Sequence, residues 1–290
     1  GTIPYFMGGD GGETTRDKIY IQEIPTRSDV PKPSIIDYGP AALSHMLLDA
    51  PENGFSIILL PANSQVHADF AENAPSYDNM YMKPLIGWVT GIHLDDMGSA
   101  TPKVVNGNSK KFYDNSAIVI HCPLPDDESA IIDIVNLFEP DDTINITFTE
   151  SGFSVKDCII NGEPQNLSEY IKEHNIDTRL PLVSNYCGAI VNVGIQEVDE
   201  AAKTVKLYAP VFKETEYHLA KHIDDYVSEF SNAMPDHVEH VSFSCNCILN
   251  YLYSELEGKK TGNITGPMTF GEIAYQLVNQ TLVYMHIEKY

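Results

Sequence analysis

The chain has 290 residues, 43% hydrophobic and 20% charged, a balance that supports a sizeable globular core and excludes a disordered chain. Its 41 acidic against 18 basic residues give a net charge of -23, and the longest basic runs are only Lys110-Lys111 and Lys259-Lys260. Nucleic acid and anionic membrane surfaces are therefore not expected as partners.

Residues 1–40 are rich in Gly and Pro and read as an extended arm with one short strand at Lys18 to Ile24, in which "GGDGG" is flexible. From Ala41, "AALSHMLLDA" reads as helix, "GFSIILLPA" as a buried strand, "SQVHADFAENA" as helix and "PLIGWVTGIHL" as strand. Strands at 103–106, 110–113 and 116–122 form a meander turning at Asn106-Gly107-Asn108. After Asp126, the spacing of Ala130, Ile131, Ile134, Val135 and Phe138 predicts a helix capped by that aspartate. A hairpin is expected across Glu150-Ser151-Gly152, joining strands 143–149 and 153–160, followed by a short helix capped by Asn166. "LPLVSNYCGAIVNVGIQEVD" and "KTVKLYAPVF" read as long strands, residues 217–233 as helix, and "HVEHVSFSC" as a strand entering a further helix.

The order strand, helix, strand in "FSIILLPA" to "PLIGWVTGI" is echoed in "HVSFSCN" to "GPMTFGEI". The expected class is α+β, with layered mixed β-sheets flanked by helices and two weakly similar halves, 41–178 and 179–290, behind the arm. Five cysteines, with only Cys245 and Cys247 close together, form no disulfide framework and point to a reducing, cytoplasmic compartment. No apolar run has the length of a membrane span, and "GTIPYFMGGDGG" has no secretory signal pattern.

Cys245 and Cys247, one residue apart on a strand, point to the same face; they lack the second ligand pair of a structural zinc site and are open to packing, to metal or to nucleophilic chemistry. Cys187 is open in the same way, as core or as nucleophile. His218 and His222 are spaced to share a helix face at the edge of an apolar stripe, with His237 and His240 following; no H-E-x-x-H or P-loop pattern occurs. Glu272 in "TFGEI", beside Gly271 and after Gly266-Pro267, is either a charge at a helix start or a carboxylate at a turn where backbone approaches a ligand. Trp88 in "IGWVTG" is core or a pocket wall.

"FSC" at 243–245, followed by a helix, "GPMTFGEI" and "NQTLVYM", resembles the C-terminal part of FIST proteins, the sensory domains named for F-box and intracellular signal transduction. "FSIILLPA" and "PLIGWVTG" are similar in order and character to their N-terminal part. The resemblance implies a stand-alone sensor for a small molecule such as an amino acid, with a signalling protein partner acting in trans. Haem, as in a gas sensor, is the variant in which His218 or His222 serves as axial ligand; the rival class is an enzyme with a cysteine nucleophile. Unlike the family pattern, no Arg or Lys follows Cys245 before Lys259. The residues expected to bind ligand are Cys245, Thr269, Gly271 and Glu272, faced by Trp88 and Thr90 from the first half; no catalytic or metal residue is expected.

Overall fold

The structure, a computed structural model, describes residues 1–24, 26–186, 189–234, 240–262 and 264–290; Cys187, His237 and Asn263 lie outside the described residues. Two compact units emerge: Gly1–Val135 with Ser231–Leu277 and Thr281–Tyr290, and Asn136–Phe230 with Val278–Gln280. This division falls elsewhere than the boundaries expected after residues 40 and 178.

The first unit begins with β1 (Tyr5–Gly8), β2 (Gly11–Thr14), β3 (Ser34–Tyr38), a 3-10 helix (Pro40–Leu48), β4 (Gly54–Pro61), α1 (Gln65–Asn73), β5 (Leu85–Thr90), β6 (Val104–Asn106), β7 (Lys111–Tyr113), β8 (Ala117–Pro123) and β9 (Glu128–Val135). The second unit contains β10 (Pro140–Phe148), β11 (Gly152–Val155), β12 (Asp157–Ile160), β13 (Glu163–Asn166), α2 (Leu167–Glu173), β14 (Leu182–Tyr186), β15 (Ala189–Val193), β16 (Ile195–Asp199), β17 (Thr204–Val211) and β18 (Glu216–Ala220). After α3 (Tyr226–Asn232) come β19 (Phe243–Cys247), α4 (Ile248–Tyr253), β20 (Gly266–Thr269), β21 (Glu272–Ala274), β22 (Gln276–Val278) and β23 (Leu282–Lys289).

In the first unit one sheet runs β2-β1-β20-β19-β23-β9 and another β22-β21-β5-β4-β8-β3, with β6 and β7 forming a separate pair. The internal echo is realised in their centres. β4 and β5 pair in parallel around α1, and β19 and β20 pair in parallel around α4. In each case a third strand, β8 or β23, lies antiparallel on the other side of the first. β4 is apolar almost throughout, as a strand covered on both faces should be. The hydroxyl of Ser64 caps α1 by accepting from the His67 amide at 3.2 Å, turning Val66, Phe70 and Ala71 inward. The α+β class with mixed sheets and a few helices is as expected.

The second unit has the sheets β13-β12-β10-β18-β14-β15 and β11-β17-β16. Tyr217, fully buried, packs edge-on against Phe148 with ring centroids 5.6 Å apart, and its hydroxyl accepts from the Phe212 amide at 2.8 Å. Asn166 caps α2 as predicted, accepting from the Glu169 amide.

Five local expectations are corrected. The predicted helix after Asp126 is strand β9, paired along its whole length with β23 from Val135 opposite Leu282 to Glu128 opposite Lys289. Its residues Ile131, Ile132, Ile134 and Val135 are β-branched, and a full ladder with β23 outweighs their helical spacing. The predicted helix over 217–233 is helical only as α3; residues 216–220 form β18, hydrogen-bonded between β10 and β14. The arm is a hairpin: "GGDGG" turns β1 into β2, β1 extends the sheet beside β20, and β3 extends the other beside β8, while residues 18–24 are not a strand. "LPLVSNYCGAIVNVGIQEVD" is three strands, since β14 folds back on β15. Of the hairpin expected after residue 143, β10 does pair with β12, but the intervening β11 joins β17. No helix of the described residues is long and apolar enough to cross a membrane.

Candidate functional site

The six residues expected to bind ligand gather in the first unit. β21 pairs with β5 so that Glu272 lies opposite Trp88 and Ile273 opposite Gly87. Gly271, at φ +155, makes the turn from β20 into β21, and its carbonyl accepts from the Val89 amide at 2.8 Å. Cys245 and Cys247 share a strand face, as their spacing implies: the Cys245 thiol donates to the Gly87 carbonyl at 3.3 Å, and the Cys247 thiol reaches the Glu272 carboxyl group. The sheets of β19 and β5 therefore meet through this cluster.

Glu272 has no exposed surface. Its Oε1 lies 2.7 Å from the Thr269 hydroxyl, which is also 3.2 Å from the Asn246 carbonyl oxygen. Its Oε2 accepts from the Thr281 hydroxyl at 3.0 Å and from the Thr281 amide at 3.3 Å. Burial pushes the Glu272 carboxyl group up to about 8, against the pull of these hydrogen bonds. Asn246 supports the cluster from below, its Oδ1 accepting from the Cys247 amide at 2.8 Å and from Asn250 Nδ2 at 2.9 Å.

All six residues are buried; Thr90 has no exposed surface and its hydroxyl has no partner. The cavity that Cys245 and Asn246 line measures about 10 Å³, room for about one water molecule. They form a closed polar cluster.

Nucleophilic chemistry needs a thiol pulled down, and Cys245, Cys122 and Cys158 go the other way. Burial, then the nearby Glu272, raises Cys245 well above its ordinary range, and burial raises Cys122 and Cys158 to about 12. The histidine pair on one helix face does not exist. His218 stands on β18 opposite Asn145 and Val183, while His222 lies in the loop beyond it beside Asp224. The motive for a haem ligand there goes with the helix. Among the described residues no group of three or more His, Cys, Asp or Glu is placed to hold a metal ion.

Sequence reasoning missed two constellations whose members come from separate strands and turns. The first is a relay in the β3-β8-β4 sheet. Tyr38 donates to Asp49 Oδ2 at 2.7 Å, so its oxygen accepts from His121 Nε2 at 3.2 Å, leaving His121 Nδ1 to accept from Ser56 Oγ at 2.8 Å. Ser56 has no exposed surface, so the relay joins strands rather than reaching a substrate. The second is a cleft of about 360 Å³ at the carboxyl end of β5, with Pro4, Arg16, Lys18, Tyr20, His93 and Asp96 in its walls. Arg16 grips Asp96 through Nε at 3.2 Å and Nη2 at 3.1 Å, with Asp95 3.8 Å away. His93 stacks on Tyr5 at 5.5 Å between centroids, and its Nδ1 accepts from the Asp95 amide. The hydrogen bond from Arg16 holds Asp96 below the ordinary carboxylate range.

Compared with known families, residues 1–288 match the model of DUF6976, described as a family of unknown function. The chain belongs to the DUF6976 family. No curated protein and no solved structure matches it. Membership of DUF6976 leaves the resemblance to FIST proteins an expectation.

Buried histidines set the acid limit of this fold. Burial lowers His67 on α1 to about 4 and also lowers His121. The unfolded chain binds protons at these sites below about 6.5 and the folded one does not, so their contribution is full above that pH and is lost as pH falls toward 4. Unfolding in urea is expected to show a drop of roughly 3 kcal/mol from His67 between about pH 6.5 and 4. A His67→Gln protein with the same drop would contradict the assignment.

Proposed function

We propose that this member of DUF6976 is a small-ligand-binding sensory protein of the kind its resemblance to FIST proteins implies, and that the ligand is a zwitterion of amino-acid type. The observation that carries the reading is the cleft beyond β5, where a guanidinium and carboxylates stand side by side. The outer end of a parallel strand is where open sheets with helices take up ligands. The volume is in the range of small-molecule sites.

Charge narrows the ligand class. A chain of net charge -23 repels free anions at long range, whereas a zwitterion approaches without that cost. Its carboxylate fits Arg16 and Lys18, its ammonium fits Asp95 and Asp96, and the exchange replaces one set of exposed ion pairs with another. The buried cluster of Cys245, Thr269, Gly271 and Glu272 with Trp88 and Thr90 then serves as the rigid backing of β5 rather than as the ligand's contact surface. The four cysteines among the described residues are free thiols, in keeping with a cytoplasmic sensor whose occupancy is read by a protein partner.

Thermal unfolding in the presence of amino acids and related metabolites tests this. A ligand at 100 times its Kd adds about 2.7 kcal/mol, and the Tm rises accordingly. Arg16→Ala is expected to remove the shift while leaving the Tm of the free protein where it was, because its ion pairs are exposed. A panel without any shift, or a shift that Arg16→Ala leaves intact, overturns the reading.

A further inference from the structure

The Thr269 hydroxyl owns one hydrogen yet sits within hydrogen-bond distance of two oxygens, Oε1 of Glu272 at 2.7 Å and the Asn246 carbonyl at 3.2 Å. A carbonyl oxygen has no hydrogen to offer. If Glu272 were a carboxylate, one of these oxygens would face Thr269 lone pair to lone pair in a site without solvent. The conflict disappears when Glu272 Oε1 carries the hydrogen. Oε1 then donates to Thr269, and Thr269 donates to Asn246. The other carboxyl oxygen, Oε2, faces only donors, the hydroxyl and amide of Thr281.

We infer that Glu272 is folded as a neutral acid whose proton joins β21 to β20 and β19, so that the contact between the two sheets of the first unit is loosened by alkali. The surroundings agree. From β19 the titratable groups facing Glu272 are the thiols of Cys245 and Cys247; β20 presents Thr269, the segment before β23 presents Thr281, and the paired strand β5 presents Trp88. Among these described partners no Lys, Arg or His is present to balance a negative charge, and burial alone favours the uncharged form. The raised carboxyl means that the folded protein holds this proton after the unfolded chain has released it. Its stabilisation is complete below about 4.5 and is lost as pH rises to about 8. The linkage of His67 and His121 falls mainly below about 6.5, and that of the buried thiols Cys122 and Cys158 begins near 9. The buried Gly1 amino group, lowered to about 6, titrates between them with the opposite sign and is common to wild type and any Glu272 variant. Between these limits Glu272 is the described side chain with a shifted carboxyl that changes charge.

Glutamine is the decisive replacement, since an amide reproduces the protonated pattern: Nε2 donates to Thr269 and Oε1 accepts from Thr281. Thermal unfolding of the whole protein between about pH 6.5 and pH 8 is expected to show the wild-type Tm falling by several degrees relative to that of Glu272→Gln, which lies above wild type at the alkaline end. Infrared spectra of the wild type at neutral pH supply a readout that does not depend on the variant folding. A carboxylic-acid carbonyl band is expected in the folded protein and is expected to vanish on unfolding. A Tm difference between the two proteins that stays constant over this range, a Glu272→Gln protein less stable than wild type throughout it, or the absence of the acid band overturns the inference.

Discussion

Replacing Trp88 with alanine is expected to lower the free energy of unfolding by about 3–5 kcal/mol, the cost of emptying a large aromatic site in a packed interior. Trp88 is 7% exposed. It sits mid-sheet, beside Leu59 on one side and Glu272 on the other. β5 cannot collapse to fill the space without disturbing the β21 ladder that presents Glu272. In urea the midpoint should fall with the slope unchanged, the mark of altered stability in an otherwise intact transition. Far-UV circular dichroism is the readout, because Trp88 is the only tryptophan and its loss removes the fluorescence signal. Sequence left Trp88 open between core and pocket wall. A loss under about 1 kcal/mol would place it at a surface instead.

Gly271→Val should be nearly as damaging, for a different reason. At φ +155 an L side chain is strained, and a Cβ there would lie 2.8 Å from Leu277 Cδ1 and 3.2 Å from Val89 Cγ2. Backbone strain of about 1–3 kcal/mol adds to overpacking of about 1–3 kcal/mol, for an expected loss of roughly 2–6 kcal/mol. The turn is also tied at both ends to Val89, whose amide donates to Gly271 and whose carbonyl accepts from the Phe270 amide at 3.1 Å. Distortion therefore passes directly into β5. Gly271→Ala should cost less, since the nearest atom is the movable end of Leu277. An alanine protein as unstable as the valine protein would assign the whole effect to φ, and a valine protein as stable as wild type would contradict the account of the turn.

The sequence made β4, α1 and β5 legible because each signal there was local: an unbroken apolar run, a serine at the start of an amphipathic stretch, and a second apolar run. The echo in β19, α4 and β20 was legible for the same reason. β9 and β18 misled because their apolar spacing suits either period, and what decides them is the strand alongside. For β9 that is β23, from the far end of the chain; for β18 it is β10 and β14. The grouping of Thr269, Gly271 and Glu272 could be read from one short segment, and their pairing with Trp88 followed from the echo. Neither Asn246 beneath Thr269 nor Thr281 above Glu272 was read as part of the site, because hydrogen bonding across strands leaves no periodic trace. The cleft was missed altogether. Arg16 lies in a stretch read as a loose arm, and His93 and Asp96 follow a strand whose outer end carries no motif.

That cleft is where the account is most exposed to test. Chemical-shift mapping of backbone amides during titration with the amino acid that stabilises the protein most gives the site directly. The account predicts that the amides that move fastest with ligand cluster at residues 15–20 and 91–96, around Arg16, His93 and Asp96, and that these shifts are absent in Arg16→Ala. Shifts centred instead on the second unit, or on the separate cleft bounded by His45, Asp69 and Tyr77, would contradict it.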